Sequence, residues 1–244
     1  MHTPSHKAID RLLGVHKPVI CDTPSIKGWD YPPGRIPPSS LASQCPTMRS
    51  LYLQVNGVRV ESELLKRGAS YHDEALGAWK TALKHGLNGL LELAGSIKTR
   101  GGLWGLSTAY RWIQHGEFPP VSIEPKIGPG GGFGPGKPDL VLGIAPVELV
   151  TSRDPAWYWS RKKVVVASYA LILEYETGMH VNQGYLVGLE EGYVEAICID
   201  DRLRVEALKL ASLGEEALTG DPGLPRECPS YCLYRGTCLG DTSG

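Results

Sequence analysis

The chain has 244 residues, 42% of them hydrophobic, enough for one large domain or a domain with a smaller appendage. Its formal net charge is -1, so no global positive field marks nucleic acid, and any DNA-binding surface has to be a local patch. The first residues, MHTPSHKAIDRLLG, lack the apolar stretch of a signal peptide, and no apolar run reaches the roughly 18 residues a membrane span needs. The chain therefore reads as soluble and cytoplasmic.

Residues 17–40, rich in Pro, Ser and Gly, predict an irregular lead-in segment with little regular structure. From about Ser62 to Ala94 apolar residues recur at steps of three and four (Leu76, Trp79, Leu83, Leu87, Leu90), which predicts a helix that Gly68 and Gly86 break or bend. His72 falls on the same stripe and faces inward, where an imidazole needs a partner. A lone histidine so placed is more often part of a core than a ligand. A second helix is expected around Thr108 to His115, after which VSIEPKI, PDLVLGI and PVELVTS read as short strands.

Six glycines between Gly128 and Gly136 lie before those last two strands, and from Gly131 the chain spells G-x-x-x-x-G-K. A phosphate loop also needs a Ser or Thr after the lysine and a helix after that. Here Pro138 takes the hydroxyl position and a β-rich segment follows, so the run is expected to be a mobile connection between strands, and no nucleoside triphosphate is expected. Lys137 remains available for a phosphate of DNA.

PDLVLGIAPVELV folds as a hairpin if Gly143 and Ile144 form its turn, and that register sets Asp139 opposite Glu148. Facing carboxylates repel, a cost that a shared Mg²⁺ or Mn²⁺ removes. Such an ion can polarise a phosphodiester and supply hydroxide. Two exposed acids on a solvated strand face are an equally good reading of the pattern. Residues 161–175, RKKVVVASYALILEY, suit a buried helix on the sheet, with a strand as the alternative that the valine run leaves open. A hairpin turning at Glu190 to Gly192 and an amphipathic helix opening at Asp200 or Asp201 are expected next.

The cysteines are Cys21, Cys45, Cys198, Cys228, Cys232 and Cys238. In a chain this large without an export signal, metal or cluster ligation is a better expectation for the closely spaced ones than disulfides. Four thiolates fit either an iron-sulfur cluster or structural zinc. Cys198 reads as a small buried hydrophobe, and Cys21 has no assigned role.

GKPDLVL followed by VELV resembles the acidic motifs of the PD-(D/E)xK nuclease superfamily, and GASYHDEAL, whose glycine-to-histidine spacing ends at His72, is similar to the first motif of its RecB-like branch. With CPTMRSLYL and the terminal cysteines, the order resembles the CRISPR-associated RecB-like exonucleases that carry an iron-sulfur cluster, in particular their archaeal variant subfamily. The resemblance runs from about Ser39 to Cys238. It implies an α/β restriction-endonuclease-like core, a mixed sheet flanked by helices, with a helical iron-sulfur cap built from the two chain ends.

By resemblance, His72, Asp139, Glu148 and the carbonyl of Leu149 bind a catalytic Mn²⁺ or Mg²⁺. Cys45, Cys228, Cys232 and Cys238 hold the cluster, with 4Fe-4S favoured and 2Fe-2S possible. The family's Glu-x-Lys is here Glu148-Leu149-Val150, so a replacement amine is expected from Lys162 on the following helix. Of the family's Gln-x-x-x-Tyr, Tyr169 is present and Val165 takes the Gln position.

The expected organisation is an irregular segment over 1–61, a nuclease core over 62–215 and a cysteine-rich tail over 216–244. The implied activity is exonuclease action on single-stranded DNA or frayed duplex ends in CRISPR spacer acquisition, beside the integrase proteins of that pathway. Lys98, Arg100, Lys137, Arg161 and Lys163 are expected at phosphates. The rival reading is a DNA-binding, cluster-stabilised assembly subunit that has lost cutting power.

Overall fold

A computed structural model describes residues 6–42, 45, 47–58, 60, 63–115, 120–153, 155–220, 222–223, 232 and 234–239. In chain order the elements are α1 (His6–Leu13), α2 (Arg49–Val55), α3 (Glu63–Ala94), α4 (Arg100–His115), β1 (Val121–Ile123), β2 (Leu140–Leu142), β3 (Ala145–Val150), α5 (Ala156–Thr177), β4 (Gln183–Gly188), β5 (Tyr193–Cys198), α6 (Asp201–Leu218) and α7 (Arg235–Leu239). The strands form one five-stranded sheet in sequential order, antiparallel except for β3 and β4, which run parallel. A parallel pair needs a long crossover, and α5 supplies it.

The sheet carries a separate core on each face. Leu140, Leu142, Val147, Leu149, Tyr185 and Val187 pack with α1, α3 and α4. Val141, Val150, Leu186 and Ile197 pack with α5 and α6. Because side chains alternate along a strand, Glu148, between Val147 and Leu149, turns to the α5 layer. The same alternation fixes the site's depth: Glu148 is a carboxylate on an otherwise apolar face. The apolar Val164–Leu173 stretch of α5 is buried on nearly every side, as its composition requires.

Helix α3 runs continuously past Gly68 and kinks at Gly86, where φ is 61° and ψ is -150°. Helix α4 opens at Arg100, eight residues before the expected start at Thr108. Its leading Arg-Gly-Gly lacks a helix-forming pattern, and tertiary packing on α3 decides the boundary. Helix α6 opens where expected, with the Asp200 carboxylate accepting the Leu203 amide at 2.9 Å as an N-cap.

The glycine-rich run is not a loose connection. Ile127 pairs with Gly136 and Gly130 with Phe133, and the fully buried Phe133 joins the α5-side core. The lead-in segment pairs with it: Gly132 N donates to Pro32 O, Gly34 N to Phe133 O and Gly134 N to Ile36 O, at 3.0, 3.0 and 2.9 Å. Gly131, at φ +58°, needs its glycine twice over, since a Cβ there would also stand 2.5 Å from the Leu171 carbonyl. A string of glycines lacks side-chain periodicity, so its backbone pairing leaves no pattern to read in sequence.

The lead-in is anchored further by an ion pair with no exposed side-chain surface on either partner. Arg204 Nη1 and Nη2 donate to Glu174 Oε2 and Oε1 at 2.7 and 2.9 Å. Glu174 also accepts the Gly28 and Val181 amides, and Arg204 donates to the Ile26, Val181 and Ile199 carbonyls. Every charge is thus answered locally, the condition for burying such a pair. Cys21 and Cys198 form a disulfide across a sequence separation of 177. This corrects the reading of Cys198 as a buried hydrophobe and gives Cys21 a role. Among the described residues, no helix is long and apolar enough to cross a membrane.

Candidate functional site

The β2–β3 hairpin has the expected register: Leu140 faces Val147, Val141 faces Pro146 and Leu142 faces Ala145, with Gly143 at the turn in a left-handed conformation of φ +67°. The same register continued by one residue brings Asp139 and Glu148 together. The strand ladder ends just before that pair, and the Asp139 side chain takes over: its Oδ2 accepts the Leu149 amide at 2.7 Å. On its other side the Asp139 carbonyl accepts the Glu124 amide at 2.9 Å. Asp139 is therefore held by strands on both flanks.

Helix α3 brings His72 to this point, with Nδ1 3.5 Å from Asp139 Oδ1. Burial disfavours the imidazolium, but contact with Asp139, backed by the charge of Glu148, outweighs it and raises the His72 pKa. The approach from the opposite layer is made by α5. Lys162 Nζ lies 2.6 Å from Glu148 Oε1, with 12% and 7% of the two side chains exposed.

Burial raises the Glu148 pKa, with the Asp139 charge adding to it and Lys162 opposing. On Lys162 burial acts downward, but the Glu148 charge overrides it and the pKa rises well above the ordinary lysine value. A contact this short stabilises charge on both partners, so we read the pair as ammonium and carboxylate.

Tyr169 lies two turns along α5 from Lys162. Burial, and next the Glu148 charge, push its phenol pKa far up, so it stays protonated and donates to the Lys137 carbonyl at 3.3 Å. The site thus gathers Asp139, Glu148, Lys162 and His72, with Tyr169 behind them fixing the backbone that enters β2.

The donor set fits a hard divalent cation, since an imidazole and two carboxylates suit Mg²⁺ or Mn²⁺. As positioned, Lys162 engages Glu148 Oε1, and among the described residues no three His, Cys, Asp or Glu side chains are grouped as metal ligands. Cys45 and Cys238 are buried, Cys232 is half-buried, and none of the three is in a disulfide. Burial raises the Cys238 pKa, and the charges of Cys45 and Cys232 raise it further. Thiols are soft ligands that suit iron-sulfur or zinc. The fourth expected ligand, Cys228, lies outside the described residues.

The cations expected at phosphates mostly hold partners inside the fold. Lys137 and Lys163 stand 2.5 Å from Glu124 and Glu195 carboxylate oxygens, and Arg161 lies 3.9 Å from Glu206. Arg100 donates to the Glu190 carbonyl at 3.1 Å, and the Lys98 amide donates to Glu74 at 3.1 Å. Glu124, which also pairs with Lys80 at 2.5 Å, was not singled out from sequence. It sits at φ +46°, a backbone conformation that carries no composition signal.

Residues 119–241 match the family model described as CRISPR-associated exonuclease Csa1. The matched span includes Asp139, Glu148, Lys162, Tyr169 and the three tail cysteines, and stops short of His72 and Cys45. No curated protein matches the chain.

Proposed function

The chain belongs to the CRISPR-associated exonuclease Csa1 family, and on that premise we propose that it is a divalent-metal-dependent DNA exonuclease acting on single strands or frayed ends during spacer acquisition. The observation that carries this reading is the arrival of Lys162 from α5 at Glu148, 2.6 Å away, in a chain whose strand offers Val150 where an amine is expected. Val150 and Glu148 lie on the α5-facing side of β3, so a helix of that layer can deliver an amine to the place the strand leaves without one.

His72, Asp139, Glu148 and the Leu149 carbonyl would hold Mn²⁺ or Mg²⁺, which when bound supplies a Lewis acid for the phosphodiester and a more acidic water. The protein's own groups have separate tasks. Lys162, kept cationic by Glu148, stabilises negative charge developing on the phosphate. Asp139 fixes the β2 entry against Leu149, and Tyr169 holds the Lys137 carbonyl, which orients the chain entering β2. Cys45, Cys228, Cys232 and Cys238 would hold an iron-sulfur cluster, 4Fe-4S in our reading, that ties the segment before α2 to the tail containing α7 as a cap. The integrase proteins of the same pathway are the proposed partners.

The assembly-subunit alternative rested on the missing strand lysine, and the placement of Lys162 favours the cutting form. End-labelled single- and double-stranded DNA incubated with Mn²⁺ or Mg²⁺ tests the proposal. Wild type is expected to shorten the single strand while Asp139→Ala does not. Cutting by Asp139→Ala would remove the proposed site, and no cutting by any form would favour the assembly subunit.

A further inference from the structure

Helix α5 begins over a row of the sheet that carries two carboxylates. Glu148 on β3 faces Leu186 on β4, and Leu186 faces Glu195 on β5. The two acids therefore share the α5 face and stand two strands apart, about 10 Å at ordinary strand spacing. Adjacent residues of α5 meet them: Lys162 Nζ lies 2.6 Å from Glu148 Oε1, and Lys163 Nζ lies 2.5 Å from Glu195 Oε1.

Glu195 takes a second grip on the helix. Its Oε2 accepts the indole N–H of Trp159 at 2.5 Å, so one carboxylate holds two side chains four residues apart, on a line of α5 beside Lys162. The Trp159 ring is itself confined. It is buried in the α5-side core, 6.1 Å from the Tyr193 ring, with the Arg153 guanidinium 5.6 Å from its centroid. Tyr193 stands two residues before Glu195 on β5, so one strand supplies both the ring contact and the acceptor.

Burial alone does not choose the rotation of α5. From Val164 to Leu173 its residues are buried on every side, and an apolar helix turned about its axis still presents apolar surface to the sheet. Polar contacts choose it: Glu174 with Arg204 at the far end, Tyr169 with the Lys137 carbonyl midway, and Glu195 with Trp159 and Lys163 at the end that carries Lys162.

We propose that Glu195 is a positioning residue, which by holding Trp159 and Lys163 sets the rotation of α5 that delivers Lys162 to Glu148. Its consequence for cleavage rests on the nuclease reading. Misplacing a working group by about 1 Å can cost a hundredfold in rate, so a carboxylate two strands from Glu148 controls the site without touching it.

The full chain carrying isotope-labelled lysine gives a readout free of DNA and metal. An ammonium in a short, shielded hydrogen bond exchanges slowly with water and yields its own nuclear magnetic resonance peak, which Lys162→Met identifies by its loss. Glu195→Ala is expected to shift or broaden that peak. With Mn²⁺, the same variant is expected to lower kcat on end-labelled single-stranded DNA roughly ten- to a hundredfold, with KM within about twofold of wild type. Glu195→Gln, which keeps an acceptor for the indole, is expected to hold kcat within about fivefold. In a Lys162→Ala background, Glu195→Ala is expected to change kcat by less than about twofold, because the group it places is gone. Circular dichroism melting confirms folding, and Trp159→Phe, which removes only the indole donor and keeps a ring, replaces Glu195→Ala if that variant does not fold. An unchanged Lys162 peak or kcat in Glu195→Ala, or an equal kcat loss in the Lys162→Ala background, would overturn the positioning role and leave the nuclease reading standing. A shifted Lys162 peak in a protein whose wild type does not cut DNA would overturn the nuclease reading and leave the placement of Lys162 by Glu195 standing.

Discussion

Lys162 Nζ lies 2.6 Å from Glu148 Oε1, although the two residues belong to different layers, one on α5 and the other on β3. The pair is buried and each partner is the other's main compensation. Removing one partner alone strands a charge, which costs about 3–5 kcal/mol. Lys162→Met is therefore expected to lower denaturant stability by that order, whereas Lys162→Met with Glu148→Gln recovers most of it. Urea unfolding of the three proteins checks this, and cleavage is expected to stay absent in the double variant despite its recovered stability.

The Glu174–Arg204 pair predicts a different kind of failure. It joins α5 and α6 to the lead-in through the Gly28 amide and the Ile26 carbonyl. Arg204→Met leaves Glu174 buried with its main charge partner gone, at a cost of about 3–5 kcal/mol. Hydrogen exchange is expected to accelerate at Gly28 and Val181, whose amides bond to Glu174, before it does so in the β2–β3 hairpin.

The disulfide between Cys21 and Cys198 closes a loop of most of the chain. Cross-links over long loops restrict the unfolded chain, and loss of one costs about 2–5 kcal/mol. Cys198→Ser is expected to lower the thermal midpoint, and reductant is expected to lower wild type toward the variant. Peptide mapping without reduction should recover the 21–198 linkage.

Asp201 gives a pH signature. Its carboxylate accepts the Ile26 and Ser25 amides at 2.9 and 2.8 Å and the Ser25 hydroxyl at 2.7 Å. The Ile26 amide first, and then the serine hydroxyl, hold its pKa below the ordinary 3.8. A depressed carboxyl pKa stabilises the fold at pH above the ordinary value, and that contribution disappears as pH falls through the depressed one. Wild type is therefore expected to melt higher than Asp201→Ala at neutral pH, with the gap closing in acid below about the ordinary aspartate value. Thermal melts of both proteins across that range make the comparison.

Much of the site could be read from local pattern. Gly143 at a two-residue turn sets the hairpin register, and the register alone aligns Asp139 with Glu148. Lys162 was legible because seven residues separate it from Tyr169 on one helix face. The lead-in was not, because its attachments are backbone bonds such as Gly34 N to Phe133 O and a carboxylate far along the chain at Glu174. Neither kind of bond imposes a period on the sequence. The pairing of Cys21 with Cys198 was hidden for the same reason, since the spacing of distant cysteines says nothing about proximity in the fold. The ion pairs of Lys137 and Lys163 also escaped, because Glu124, just after β1, and Glu195, on β5, come from other segments of the chain.

The most direct test of the account moves the amine back to the strand. Cleavage of end-labelled single-stranded DNA is compared for wild type, Lys162→Ala, and Lys162→Ala combined with Val150→Lys, whose side chain would issue from the α5-facing side of β3. The account predicts that Lys162→Ala loses cleavage by about a hundredfold or more, as for other groups that stabilise developing charge, and that the double variant recovers part of it. Cleavage by Lys162→Ala at the wild-type rate would contradict the account.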